Sequence, residues 1–217
     1  MWKLIRPLTA LIHIFLWPVF NILLYTFGHF TVKGQNYLKP AQPPFIIVSN
    51  HQSRLDHFII GAALPFSLKW FPLSFTAFDH LMRIPLLGFG IWILGGYGVR
   101  RGIGLENSLA RAVAILKAKG LIYIYPEGKV RTVGRPRGAR RGVAYLASQV
   151  PNTNIIPARL DFGRLAVAKF FSGRYRLRVT FGRPFKIMEI AKRPPKTDDE
   201  LKIAAEAIMA RSHQLAA

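Results

Sequence analysis

The chain has 217 residues, of which 51% are hydrophobic, 31 are Lys or Arg and 10 are Asp or Glu, which gives a formal net charge of +21. This apolar content suffices for one folded domain with an appendage and excludes a largely disordered protein, while the absence of cysteine excludes disulfides, thiolate nucleophiles and cysteine-based metal sites. The excess of positive charge indicates a polyanionic partner, and nucleic acid, anionic lipid and acidic carrier proteins all satisfy it.

The first 30 residues are apolar after a basic start. They are numerous enough to cross a bilayer, but His13, Pro18 and Asn21 interrupt them, and an interior proline kinks or breaks a helix. We therefore expect two short helices lying in one leaflet rather than a single kinked span. A signal peptide has a similar pattern, but no convincing small-x-small cleavage site precedes Gly34, so we expect the segment to be retained.

The apolar run over residues 45–48 stops at side chains that can move protons, and it predicts a buried strand that delivers His51 into a loop. In one continuous helix His51 and Asp56 would lie about 140° apart, on different faces. If the strand ends near Asn50 and a helix begins near Ser53, the carboxylate of Asp56 can fold back and orient the imidazole as a base. The alternative is a capping box, in which Asp56 only holds backbone N–H groups.

His57 follows directly and is expected to be structural. The spacing of His51, Asp56 and His57 matches no familiar chelating motif, so we expect no metal.

Residues 84–96 are apolar, too short to span a membrane, and include five Gly or Pro residues. They predict a core helix, with the alternative that the small residues Gly88 and Gly90 leave room for an acyl chain.

Strands and helices alternate through the rest of the chain. Strands are predicted at 97–100, 121–125 and 154–161, a half-exposed or edge strand at 175–181, and helices at 105–119, 137–150 and 198–213. This order predicts an α/β fold with a predominantly parallel central sheet flanked by helices, preceded by the apolar helical segment. Ligands of such sheets bind beyond the carboxyl ends of the strands, where His51 and Glu127 are expected.

Four short blocks occur in order along the chain: Asn50-His51-x-Ser53-x-x-Asp56, Gly98–Gly102, Tyr125–Gly128 and Ile155–Ala158. With them the chain resembles the glycerolipid acyltransferases, whose best-known members acylate lysophosphatidic acid. The resemblance implies transfer of a fatty acyl group from a thioester of coenzyme A or acyl carrier protein to the free hydroxyl of a lysophospholipid. It also implies His51 and Asp56 as the catalytic residues.

The resemblance further implies where the acceptor head group binds: at Arg101, Glu127, Gly128, Lys129 and Arg131. The family continues its third block from Glu-Gly to Thr-Arg, whereas here a valine stands in the place of that arginine. We expect lysophosphatidic acid as the acceptor and keep another lysolipid, such as a lyso-ornithine-type lipid, as the alternative. Most of the other basic residues between positions 98 and 141 are assigned to a solvated face.

The chain has no Gly-x-Ser-x-Gly elbow, which favours direct attack over an acyl-enzyme and disfavours a lipase. No cofactor is expected. A non-enzymatic basic protein that binds nucleic acid or anionic surfaces would explain the charge, but not the apolar start or the four blocks, so we expect no nucleic acid partner.

We expect membrane-anchoring helices in residues 1–32 and a catalytic domain in residues 33–217. This arrangement predicts a monotopic protein at the cytoplasmic face of the inner membrane.

Overall fold

The computed structural model describes residues 2–100, 102–128, 138–162, 170, 172 and 175–215. In these residues one sheet has the strands β1 (Thr31–Lys33), β2 (Phe45–Val48), β3 (Leu73–Phe78), β4 (Gly96–Val99), β5 (Leu121–Ile124), β6 (Asn154–Asp161) and β7 (Arg178–Phe181). The helices are α1 (Trp2–Gly28), α2 (Asp56–Ala63), α3 (Asp79–Met82), α4 (Pro85–Ile93), α5 (Gly104–Lys117), α6 (Gly142–Gln149) and α7 (Asp198–His213). Short 3₁₀ helices lie at Gln35–Tyr37, Leu68–Trp70 and Ile187–Glu189.

The strand order is β1-β7-β6-β2-β5-β3-β4, and every neighbouring pair is parallel except β6 with β7. The prediction of a predominantly parallel sheet is therefore confirmed. Strand β2 lies between β5 and β6, with Val48 level with Ile124 at the carboxyl ends of β2 and β5 and with Pro157 inside β6. The loops after β2 and β5 consequently leave the same edge of the sheet side by side.

Alternate residues of β2 enter two hydrophobic cores, one on each face of the sheet. Phe45 and Ile47 belong to the core that contains α2, and Ile46 and Val48 belong to the core with α5, α6 and α7. All four side chains are fully buried. A strand that is covered on both faces appears in sequence as a continuous apolar run, which is why residues 45–48 show no polar alternation.

Three strands differ from the sequence analysis, namely β1, β3 and β7. Strand β3 was not predicted, although Leu73 to Phe78 follows a proline and has a strand-like composition. Strand β7 shows the expected alternation of burial, but it is not an edge strand, because β1 pairs with its outer side. A three-residue strand is too short to be recognised from its own sequence, so the identity of the edge could not be predicted.

Helix α1 is one continuous helix with Pro7 and Pro18 inside it, so the expectation of two short helices is wrong. An interior proline costs about 3 kcal/mol. Contacts with the rest of the protein offset that cost. The indole N–H of Trp17 donates to the carbonyl of Leu64 at 3.1 Å, and the amide of Asn21 donates to the carbonyl of Ala62 at 3.2 Å.

Candidate active site

The loop after β2 is held by Asn50, which is buried beside β6. Its side-chain amide donates to the carbonyl of Leu160 at 2.8 Å and its side-chain oxygen accepts from the Leu160 N–H at 2.8 Å. The side chain of Gln52 donates to the same carbonyl at 2.8 Å. These bonds fix the backbone on either side of His51, so the position of the imidazole does not depend on a free loop.

Asp56 is the first residue of α2, and its fully buried carboxylate accepts four hydrogen bonds. Oδ2 accepts from His51 Nδ1 and from the Gln52 N–H, each at 2.8 Å, and Oδ1 accepts from the N–H and the hydroxyl of Ser53, each at 2.8 Å. Asp56 therefore orients the histidine and also holds the backbone N–H groups of Gln52 and Ser53. The capping box is not formed, because the N-cap of α2 is Leu55 and no side chain caps the helix. A carboxylate partner places the proton on Nδ1 and leaves His51 Nε2 as an acceptor.

Tyr125 lies against the face of the His51 ring, with ring centroids 3.7 Å apart and an interplanar angle of 16°. Behind it, the hydroxyls of Tyr123 and Ser49 are 2.6 Å apart, and Ser49 donates to the Asn50 carbonyl at 2.8 Å. Burial, and then the nearby charge of Asp56, raise the pKa of Tyr123 well above its usual value. For Tyr125, burial also raises the pKa strongly, so both phenols stay protonated.

His57 stacks on Phe75 with ring centroids 4.1 Å apart. Burial lowers the pKa of His57 to about 3, with smaller contributions from His13 and His51, so this ring is neutral at neutral pH. A neutral, stacked ring has the packing role that was expected for His57. Among the described residues, no group of three or more His, Asp and Glu side chains forms a metal site.

A cavity of about 1240 Å³ opens in front of His51. Its lining includes apolar residues of β3 and α4, among them Phe75, Leu86, Leu87, Gly90 and Ile91. The lining also includes cations, namely Arg54, Arg100, Arg140, Arg141 and Lys202. The sequence analysis assigned most basic residues after position 98 to a solvated face and did not consider Arg54. The cavity-lining arginines are therefore site residues that sequence reasoning missed.

Arg140 is held against the loop that follows β5. Its backbone N–H donates to the carbonyl of Pro126 at 2.8 Å, and its side chain covers Gly128, which adopts a positive φ of 67°. A Cβ on Gly128 would lie 2.4 Å from the Cδ of Arg140, so only glycine allows this approach. Arg140 thus reaches the cavity from a position that no motif indicated.

The remaining predicted site residues are placed as follows. Gly128 lines the cavity, whereas Glu127 is buried and its Oε1 lies 3.7 Å from Nε2 of His213, at the end of α7. Arg101, Lys129 and Arg131 lie outside the described residues.

Helix α4 is not the core helix that was predicted, because Leu86 is 89% exposed and Phe89 is 59% exposed. A Cβ on Gly88 would lie 2.2 Å from the carbonyl oxygen of Met82, so this glycine permits the tight turn between α3 and α4. A Cβ on Gly90 would meet nothing within 4 Å, and Gly90 lines the cavity. The small residue that leaves room beside the site is therefore Gly90.

Comparison with known proteins finds several relatives. A family model described as Acyltransferase matches residues 29–161. Over 154 residues the chain is 30% identical to 1-acyl-sn-glycerol-3-phosphate acyltransferase alpha of Bos taurus, covering 68% of this chain and 52% of that protein. Over 107 residues it is 31% identical to the 1-acyl-sn-glycerol-3-phosphate acyltransferase of Saccharomyces cerevisiae, covering 45% of this chain and 31% of that protein. The chain therefore spans about half the length of the bovine relative.

The fold is similar to the crystal structure of the 1-acyl-sn-glycerophosphate acyltransferase PlsC from Thermotoga maritima, with a TM-score of 0.56 and 19% identity. The match covers 88% of this chain and 74% of that chain. At this identity the likeness concerns the fold alone.

Proposed function

The chain belongs to the Acyltransferase family, and from that premise we propose that it transfers a fatty acyl group from an acyl thioester to the free hydroxyl of a lysophospholipid. The observation that carries the proposal is the 2.8 Å hydrogen bond between His51 and the buried Asp56, beside a cavity that is lined by both apolar and cationic side chains. An acyl chain suits the apolar side chains and an anionic head group suits the cations.

In the proposed mechanism, Nε2 of His51 accepts the proton of the acceptor hydroxyl while that oxygen attacks the thioester carbonyl. A C–O bond forms, the tetrahedral intermediate collapses, and the C–S bond breaks. The departing thiolate then takes the proton from Nε2. Asp56 keeps the Nδ1 proton in place throughout, and a positioned base of this kind contributes about 10² to 10⁴ in rate. No serine or cysteine nucleophile is needed.

For the acceptor we propose lysophosphatidic acid, with phosphatidic acid as the product. The exposed guanidinium groups of Arg54, Arg100 and Arg140 line the cavity, and among the described residues none of them has an acidic partner within ion-pair distance. Arginine binds a phosphate through two parallel hydrogen bonds. Arg101, Lys129 and Arg131 remain proposed contacts, and another lysolipid remains the alternative. The donor is proposed to be acyl-CoA or acyl carrier protein.

The experiment is a transfer assay with the purified full chain, using both donors against lysophosphatidate, a lyso-ornithine lipid and phosphate-free monoacylglycerol. Wild type is expected to prefer lysophosphatidate. His51→Ala and Asp56→Ala are each expected to lower kcat at least about 100-fold while the thermal unfolding transition stays cooperative. A folded His51→Ala protein with near-normal turnover would contradict the mechanism.

The same assay tests the phosphate contact with Arg140→Ala. Losing a charge-assisted hydrogen bond costs about 1.5–3 kcal/mol, so KM for lysophosphatidate should rise roughly 10- to 100-fold while monoacylglycerol is unaffected. Arg183, exposed and outside the cavity lining, supplies the matched control Arg183→Ala. Equal effects of Arg140→Ala on all acceptors would reject the phosphate assignment and leave acyl transfer standing.

For the location, we propose a monotopic protein at the cytoplasmic face of the inner membrane, anchored through residues 1–32, with residues 33–217 as the catalytic domain. Part of α1, Arg6–Gly28, is long and apolar enough to cross a membrane, with a mean hydropathy of 1.8. However, α1 contacts the domain at both ends of this segment. The guanidinium of Arg6 donates to the carbonyl of Ala118 at 3.1 Å, and the carbonyl of Gly28 accepts from the Leu177 N–H at 2.9 Å. This packing alongside the domain supports the proposal that α1 lies in the plane of the membrane.

A further inference from the structure

The carboxyl-terminal end of α7 lies against the end of the strand that delivers His51. The hydroxyl of Ser212, which is 2% exposed, donates to the carbonyl of Val48 at 2.9 Å. Val48 is the last residue of β2 and lies three positions before His51. A buried hydroxyl requires a hydrogen-bond partner, so this contact ties the helix to the strand end.

His213, the next residue of α7, contacts two further segments of the site. Its Nε2 lies 3.7 Å from Oε1 of Glu127, in the loop after β5, and its carbonyl accepts from the guanidinium of Arg159, in β6, at 3.1 Å. The last carbonyls of a helix lack intrahelical donors, so a cation at this position satisfies one of them. The neighbour of Arg159 is Leu160, which Asn50 holds through two hydrogen bonds. Two consecutive residues of α7 therefore contact β2, β6 and the loop after β5.

The position of Glu127 indicates that its carboxylate serves this contact. Pro126 and Gly128 line the cavity, whereas Glu127 between them does not, and Glu127 is only 8% exposed. A buried carboxylate is costly unless it is paired or hydrogen-bonded. Among the residues that the structure describes, the ion-pair contact of Glu127 is with His213. The carboxylate therefore meets α7 and not the cavity.

We propose that Ser212 and His213 are positioning residues for the transfer reaction. Ser212 holds the end of β2 just before His51, and His213 holds the loop after β5 through Glu127. Neither Ser212 nor His213 lines the cavity, so neither contacts the substrates. Both act on the placement of the base, to which the rate of a positioned reaction is sensitive. This inference deepens the proposed function and rests on it.

The role of Ser212 is tested with Ser212→Ala, which removes the hydroxyl from a buried position. We expect kcat to fall about 2- to 10-fold with little change in either KM. The matched control is Ala205→Gly, which lies buried two turns earlier in α7 and weakens the same helix by a comparable amount. The control is expected to lower the thermal unfolding midpoint and to keep kcat well below that temperature. Unchanged kcat in Ser212→Ala, or an equal loss in Ala205→Gly, would overturn the role of Ser212.

The role of His213 is tested with a double-mutant cycle. His213→Leu should lower kcat about 2- to 5-fold, and His213→Gln, which keeps an N–H donor near Glu127, should stay close to wild type. In the background of Glu127→Gln, adding His213→Leu should have no further effect. Additive losses, or a Gln variant as slow as the Leu variant, would show that His213 does not act through Glu127.

Hydrogen exchange over residues 49–56, measured by mass spectrometry, tests the positioning without any activity. The N–H groups of Gln52 and Ser53 donate to Asp56, so their exchange reports how firmly the loop around His51 is held. Ser212→Ala is expected to speed exchange in this segment severalfold, whereas Ala205→Gly should leave it close to wild type. Equal exchange in the two variants would overturn the positioning even in an active enzyme. If wild type acylates no lysolipid, the proposed function fails, while the exchange result still decides whether α7 holds the loop.

Discussion

The imidazole of His51 is held by two kinds of contact. Asp56 holds its edge through the hydrogen bond to Nδ1, and Tyr125 covers its face at a centroid distance of 3.7 Å. A stack of this kind is worth about 0.5–1.5 kcal/mol beyond the area it buries. Tyr125 also contacts Tyr123, with ring centroids 4.7 Å apart. Because Tyr125 would act on the reaction through the base that it covers, it is a positioning residue.

We predict that Tyr125→Leu lowers kcat about 2- to 10-fold with little change in KM, because the ring loses its support while the acceptor contacts remain. Tyr125→Phe should restore kcat, since it keeps the stacked ring. Because burial raises the pKa of Tyr125 well above its usual value, Tyr125→Phe should also leave the alkaline limb of the pH–rate profile unchanged. A Phe variant as slow as the Leu variant would show that the hydroxyl, and not the stack, is what matters.

Helix α1 combines two functions on opposite sides. Its inward side bonds to the domain through Trp17 and Asn21, and its outer side exposes an apolar stripe that includes Phe15 and Ile22. Deletion of residues 1–30 would remove both sides together. It would also uncover the apolar side of α2, so loss of membrane binding after deletion would not distinguish an anchor from a misfolded domain.

Substitutions in the stripe separate these functions. We predict that Phe15→Ser/Ile22→Ser reduces sedimentation with anionic vesicles at least about tenfold, because each buried apolar side chain contributes about 1.5–3 kcal/mol at full burial. The thermal unfolding midpoint should stay within a few degrees of wild type, since both residues are exposed. The exposed substitution Ile203→Ser serves as the control. Undiminished sedimentation in high salt would reject α1 as an anchor.

At the scale of the whole molecule, two half-buried histidines couple folding to pH. His57 stacks on Phe75, and His13 accepts from the Leu73 N–H and lies 3.1 Å from the Leu94 carbonyl. Burial lowers the pKa of His57 to about 3 and that of His13 to about 4. In the unfolded chain both have the ordinary histidine pKa of about 6.5. Below that pH the unfolded state binds protons that the folded state does not.

We predict that the free energy of unfolding is highest above pH 6.5 and falls as the pH decreases towards 4. Each histidine contributes up to about 1.4 kcal/mol per pH unit. His57→Phe keeps a ring against Phe75 and removes one of the two histidines that take up a proton on unfolding. Urea titrations of this variant should therefore show a smaller decrease in the free energy of unfolding as the pH falls. Identical pH slopes for wild type and His57→Phe would mean that His57 is not buried as a neutral ring.

Local sequence determined the features that depend on short-range periodicity and spacing. The apolar run of β2, its abrupt end before His51, and the return of Asp56 onto the imidazole all follow from residues within a few positions of one another. The alternation of helices with strands also sufficed to predict a largely parallel sheet. In such a sheet the carboxyl ends of β2 and β5 necessarily meet at one edge.

Tertiary structure alone decided the features that depend on distant partners. Pro18 remains within one helix because α1 bonds to Leu64 and Ala62, more than 40 positions away. Arg140 becomes a cavity residue because Gly128, 12 positions earlier in the chain, allows its side chain to approach. Tyr125 stacks on His51 only because β5 is paired beside β2. Periodicity constrains neighbours within a turn or a strand, whereas these contacts arise when separate segments pack together, and no local pattern encodes them.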